Sequence, residues 1–157
     1  MSDELEELRA TVRHLKDRQD ILDVIVRESR GRDRHDTELT ASCYWPEGAD
    51  EHGAVPFPAT EYPEIANKGH AFAFAMNQHN LANHTCEIDG DEAHSETYFI
   101  FASENVQGTP VTIAGGRYVD RFERRDGRWA IAVRKCLTTW NFTPDSAVSQ
   151  QIAAAFA

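Results

Sequence analysis

Leu5, Leu8, Val12 and Leu15 recur at steps of three and four, the spacing of one helical face. The pattern resumes with Ile21, Leu22, Val24 and Ile25 and runs to Gly31. It predicts either one bent helix or two helices joined near Asp20. Asp36 has the carboxylate to cap a short helix over residues 37–45, "TELTASCYW", which Pro46 and Gly48 would end. The segment "GADEHGAVPFPAT" is turn-rich and is expected to hold one short strand inside a loop. Ile65, Phe72 and Met76 return to helical spacing, with Pro63 in a first turn, and predict a third helix over residues 62–78.

After residue 78 the period changes to two. Four extended runs follow, punctuated by Asp89-Gly90, Gln107-Gly108 and Asp126-Gly127, each a hairpin signal. Gly115 and Gly116 fall inside a strand pattern, where they mark a bend or bulge rather than a phosphate loop. Helices followed by a long antiparallel meander specify an α+β fold, with the helices packed on one face of a curved sheet. The tail "AVSQQIAAAFA" reads as a short helix or a frayed end.

Composition narrows the functional classes. A chain of 157 residues suits one globular domain, and no apolar run reaches the roughly 18 residues that would span a membrane. A net charge of −10, with basic residues scattered among acids, disfavours a nucleic-acid partner. The acidic opening "MSDELEEL" does not resemble a secretory leader, and a cytoplasmic protein is expected. Cys43, Cys86 and Cys136 are odd in number and lack C-x-x-C spacing, so reduced thiols are expected rather than disulfides or a zinc site. There is no H-E-x-x-H, no glycine-rich nucleotide loop and no G-x-S-x-G, so neither a metal nor a cofactor is implied.

A curved sheet over helices can line a concave cavity, and polar residues pointing into it are the ones that matter. His14, His35, His52 and His94 lie in polar surroundings that suit solvated side chains. His79 stands where the third helix hands the chain to the first meander strand, as a boundary histidine or as a catalytic base. Asp33 belongs to "SRGRDRHD", where six of eight residues are charged or ionisable, and a charged helix end is ordinarily a solvated one. Along the strand, alternation puts Asn83 on the side of His79 and Leu81 and turns His84 away.

Taken together, "DRQDILDVI", "DRHDTELTASCYWPEGADEHG", "HNLANHTCEIDGDEAHSETYF" and "GGRYVDRFERRDGRWAIAVRKC" resemble the SnoaL-like branch of the nuclear-transport-factor-2-like superfamily. The resemblance covers a core of about residues 18–144 in a single domain of residues 1–157. Residues 1–17 would be a helical extension and residues 145–157 a tail. Within the superfamily it leans toward the cofactor-free lyases scytalone dehydratase, bile-acid 7α-dehydratase and hexachlorocyclohexane dehydrochlorinase. It implies a cone-shaped α+β barrel, open at one end, and a homo-oligomer formed through the outer sheet face.

The resemblance also places Asp33 beside His79 inside the cone. A carboxylate on one imidazole nitrogen fixes the tautomer, so the other nitrogen can remove a carbon-bound proton. It gives Tyr44, on the short second helix, and Arg134 the task of stabilising the departing group and the enolate oxygen. By alternation Ala130 and Ala132 share the face of Arg134 and would leave its guanidinium room to reach the cavity; a solvated Arg134-Lys135 pair at the strand end is the competing reading. Glu28 departs from the pattern, standing where several of these lyases carry Tyr or Lys; it would be a second acid/base group or simply exposed. Phe72, Met76, Asn83, Tyr98 and Trp140 are the candidate substrate contacts, though aromatic residues at such spacing also serve as plain core. The implied activity is a dehydratase or dehydrohalogenase acting on a small hydrophobic, cyclic or polyketide-like molecule. Isomerase, cyclase and non-catalytic binding readings share the same cavity.

Overall fold

One uninterrupted helix, α1 (Ser2–Asp33), carries both apolar stripes of the N-terminal segment. The computed structural model describes residues 2–53, 55–106 and 111–143, so the hairpin expected at Gln107-Gly108 and the tail element lie outside the described residues. His35, at φ 53°, occupies the left-handed position that stops α1. Asp36 N–H reaches back to Gly31 C=O at 2.8 Å and His35 N–H to Arg32 C=O at 3.4 Å, the paired bonds of a Schellman ending. Asp36 then caps α2 (Thr37–Ala41) by accepting from Leu39 N–H. The charged run therefore turns the chain sharply and leaves Asp33 in the final helical turn.

The second helix is shorter than its sequence pattern predicts. Tyr44 lies not on it but on β1 (Tyr44–His52), whose backbone pairs in parallel with β6 (Arg128–Phe142). Ile131 N–H donates to Cys43 C=O at 2.9 Å, and the register slips between Tyr44 and Ala49, which accommodates Pro46 and Gly48 within the strand. Strand pairing with a segment far along the chain thus overrides the local helical pattern. A two-residue strand β2 (Phe57–Pro58) pairs antiparallel with β1. Helix α3 (Tyr62–Ala73) stops well before Gln78, because Phe74 onward belongs to β3 (Phe74–Asp89).

Strands β3, β4 (Glu92–Asn105), β5 (Thr112–Arg125) and β6 form the expected antiparallel meander. The sheet order is β2-β1-β6-β5-β4-β3, six strands, mixed and open. Asp126 and Gly127 both have positive φ in the two-residue β5–β6 turn, the conformation that makes Asp-Gly favourable there. Helix α1 touches β3 at one edge and also β6, three strands away, so the sheet curls around it as a cone. Ile21, Val24 and Ile25 of α1 pack inside that curve with Phe99, Tyr118, Phe122 and Ile131. The register slip between Gly115 and Gly116 is the irregularity their position in the strand pattern implied.

Candidate active site

Asp33 and His79 meet at the end of α1. His79 Nδ1 is 2.6 Å from Asp33 Oδ1, and the backbone N–H of His79 lies 3.0 Å from each carboxylate oxygen. Asn77 Nδ2 adds a donor at 3.3 Å and also ties the chain to His35, whose Nε2 is 3.1 Å from Asn77 Oδ1. A carboxylate gripped in this way fixes the imidazole as the Nδ1–H tautomer. Its Nε2 has no hydrogen-bond partner among the described residues. The His79 side chain is only 5% exposed, and its ring stands 4.6 Å from that of Phe101.

His79 borders a cavity of about 120 Å³. Phe99, Phe101, Ala114 and Tyr118 supply its apolar wall; Arg32, His52, His70, Cys136 and Thr138 supply polar atoms. His70 stacks on His79 with centroids 6.0 Å apart, and its Nε2 accepts from Arg32 Nη2 at 3.0 Å. Burial and the adjacent Arg32 push the His70 imidazole down to about 3, so it is neutral. His52 is opposite in character. Burial would depress it, but the Asp50 carboxylate on Nδ1, with Cys136 beside it, raises it to about 9 and keeps it protonated. The Tyr118 hydroxyl has no hydrogen-bond partner among the described residues.

Below this cavity lies a buried ionic cluster, and it absorbs three of the residues that the sequence pointed to. Arg134 is fully buried, with Nε and Nη2 each 2.8 Å from an Asp120 oxygen and Nη1 2.7 Å from Glu28 Oε2. Its guanidinium lies 4.0 Å above the Tyr118 ring. Arg134 shares the inner face of β6 with Cys136 yet does not line the cavity, because Asp120 and Glu28 hold it beneath the Tyr118 ring. The register slips between Arg121 and Phe122 and leaves Ala132 unpaired, so the alternation that would put Ala130 and Ala132 on its face fails there. Glu28 is equally buried; burial favours its neutral form, but Arg134 and Arg32 outweigh that and lower its pKa. Tyr44 donates to Asp50 Oδ2 at 2.6 Å and lies 3.5 Å from Glu28 Oε1, away from the cavity. Tyr62, which accepts from Arg32, lies 3.0 Å from His52 Nδ1 and links cluster to cavity. Three carboxylates, Glu28, Asp50 and Asp120, thus balance Arg32, Arg134 and protonated His52.

The expected substrate contacts are placed elsewhere. Phe72 is 85% exposed on the outer side of α3, and Met76, on β3, is also exposed. Tyr98 lies on the outer face of β4, and Trp140 packs flat on Gly115, where a Cβ would fall 2.2 Å from the indole. Asn83 is exposed because β3 carries an extra residue: Leu81 pairs with Phe99 and His84 with Thr97. That bulge reverses the alternation, so His84 turns inward to Thr97 Oγ1 at 2.8 Å, against the parity expectation. In the sequence His52 suits a solvated side chain, and Asp50, Arg32, His70, Tyr62 and Asp120 are not marked out individually. Only the strand register, with His52 directly opposite Cys136, could have drawn His52 inward.

The model of the SnoaL-like domain matches residues 13–135, most of the described chain. The chain belongs to the SnoaL-like domain family. No curated protein matches this member of the family. Among solved structures it resembles a hexachlorocyclohexane dehydrochlorinase, LinA type 2, at 18% identity over 87% of this chain and 94% of that one, with a TM-score of 0.80. It also resembles a scytalone-dehydratase candidate from Novosphingobium aromaticivorans, at 18% identity over 86% and 92% of the two chains and a TM-score of 0.78. LinA type 3 from Novosphingobium barchaimii gives 17% identity, 87% and 95% coverage and a TM-score of 0.76. At such identities the likeness establishes the cone-shaped fold of this SnoaL-like protein. Among its described residues no helix is long and apolar enough to cross a membrane.

Proposed function

We propose that this SnoaL-like protein is a cofactor-independent lyase of the dehydratase or dehydrohalogenase type, acting on a small hydrophobic cyclic or polyketide-like substrate. The carrying observation is the His79 imidazole, clamped at Nδ1 by Asp33, without a protein partner at Nε2 among the described residues, and bordering a cavity with one apolar and one polar wall. Nε2 takes a proton from the carbon next to an activated carbon, the C–H electrons form the new double bond, and the bond to the leaving group breaks. Protonated His52, across the cavity, supplies the proton to a departing hydroxide, or its charge stabilises a departing halide. The Tyr118 hydroxyl and the Arg32 cation are the polarising groups at the cavity wall. Tyr44, Glu28 and Arg134 hold this arrangement from below as positioning residues. An acid opposite the base favours elimination over isomerisation, which needs no leaving-group donor.

Mass spectrometry of wild type, His79→Ala and Asp33→Asn with β-hydroxy ketones, hydroxysteroid thioesters, polycyclic phenols and chlorinated cyclohexanes tests the reading. Loss of water or hydrogen chloride is expected with wild type, slowed about 10²- to 10⁴-fold in both variants. Equal loss with wild type and variants would sink the dyad. Product of unchanged mass would indicate an isomerase or cyclase, and ligand binding with no product a non-catalytic domain.

A further inference from the structure

Residues 3–16 of α1 are exposed at every position, and the helix first engages the sheet at Asp17, which accepts from Arg124 and Trp129. The projecting part extends about 21 Å at 1.5 Å per residue. An isolated helix of this length is marginal in water, so tertiary cover is what stabilises such a segment. Its apolar stripe faces away from the protein's own core: Leu5, Leu8, Val12, Leu15 and Val26 are between 46% and 59% exposed. Ile21, Val24 and Ile25, by contrast, are buried on the opposite side of the same helix.

These positions, with exposed Gln19 and half-buried Leu22 between them, follow a strict repeat of alternating three and four: Leu5, Leu8, Val12, Leu15, Gln19, Leu22, Val26. That is three heptads of a coiled-coil seam, with one polar residue, Gln19, at a position that fixes register. We propose that α1 forms a parallel, in-register two-stranded coiled coil with α1 of a second copy of this chain. The flanking charges select this partner and this direction. In the parallel pairing Glu4 of one copy faces Arg9 of the other, and Arg18 faces Asp23, each twice by symmetry. An antiparallel pairing would instead set Arg9 against Lys16 twice with no compensating attraction. One guanidinium nitrogen of Arg18 already donates to Cys86 C=O, which holds the side chain in place and leaves the second free for Asp23.

Light scattering on the full chain tests this. Leu8→Glu/Leu15→Glu, at two exposed positions, should halve the molar mass and keep the near-ultraviolet circular dichroism of the folded domain, while the far-ultraviolet helical signal falls as the uncovered residues 3–16 fray. Arg9→Glu should weaken association at least tenfold, and Glu4→Arg/Arg9→Glu should restore it. Val12→Cys should form a disulfide-linked pair under oxidation that the wild type, with its own cysteines, does not. A monomeric wild type, or a Leu8→Glu/Leu15→Glu variant of unchanged mass, overturns the coiled coil, the latter leaving assembly to the outer sheet face. Failure of Val12→Cys to cross-link overturns the parallel register.

Discussion

Arg134 meets three carboxylate oxygens in a site without solvent, and its worth follows from what remains if it is removed. Glu28 and Asp120 would then face each other across an unfilled gap, with Arg32, 3.5 Å from Glu28, and protonated His52, already bound to Asp50, as the remaining cations. Removing one member of a buried ion pair typically costs about 3–5 kcal/mol, because the orphaned charge has no water to turn to. Arg134→Met should lower stability by about that much. A denaturant midpoint at constant slope measures it, and Arg134→Lys should fall between, keeping the charge but losing the two-pronged contact with Asp120. An unchanged midpoint combined with lost activity would show instead that Arg134 works at the substrate. At this scale the sequence is readable only in part. Asp33 and His79 were found through their resemblance to relatives. The partners of Arg134 were not, since Glu28 lies 106 positions away and an isolated acidic residue carries no sign of the cation that will neutralise it.

Among the elements, α3 shows why apolar periodicity misplaces a helix near a cavity. Its apolar residues Ile65 and Phe72 face solvent, while Tyr62, Asn67 and His70 face inward. The inner surface of α3 meets the core only through Tyr62 and Ala66 and otherwise turns Asn67 and His70 toward polar groups, so the apolar period of Ile65 and Phe72 marks its outer face. The strands were legible because the Asp-Gly turns and the period of two do not depend on what the sheet covers. Their bulges, between Leu81 and His84 and between Arg121 and Phe122, were not legible, since one extra residue leaves no mark in the alternation but reverses every face beyond it. The α1–α2 corner offers a direct test of how tightly the elements are fitted. A Cβ at Gly31 would lie 2.5 Å from Thr40 Oγ1 and 2.9 Å from Thr40 N. The hydroxyl can rotate away, but the backbone nitrogen cannot, so Gly31→Ala should destabilise the protein by about 1–3 kcal/mol despite the higher helix propensity of alanine. Thermal unfolding of Gly31→Ala beside wild type measures this; an equal or higher midpoint would mean that the corner is loose.

At the scale of the whole molecule, the cavity and the ionic cluster tie stability to pH through two histidines of opposite sign. His52 is raised from an ordinary value of 6.5 to about 9. Its stabilising contribution is therefore complete below 6.5 and is lost as pH rises toward 9, for a total of at most about 3 kcal/mol. His70 is lowered to about 3, so its neutral form favours the fold above 6.5 and the advantage is lost as pH falls from there toward 3. Stability should accordingly peak near pH 6 to 7, with an alkaline decline from His52 and an acid decline to which His70 contributes. Urea midpoints between pH 4 and 10 would trace the curve, and His52→Gln should flatten the alkaline limb alone. A limb that keeps its slope in His52→Gln would assign the alkaline loss to another group and remove the reason for treating His52 as the protonated neighbour of His79. The same variant carries the functional consequence: if His52 supplies the leaving-group proton, His52→Gln should slow loss of water far more than loss of halide, because a departing chloride needs no proton.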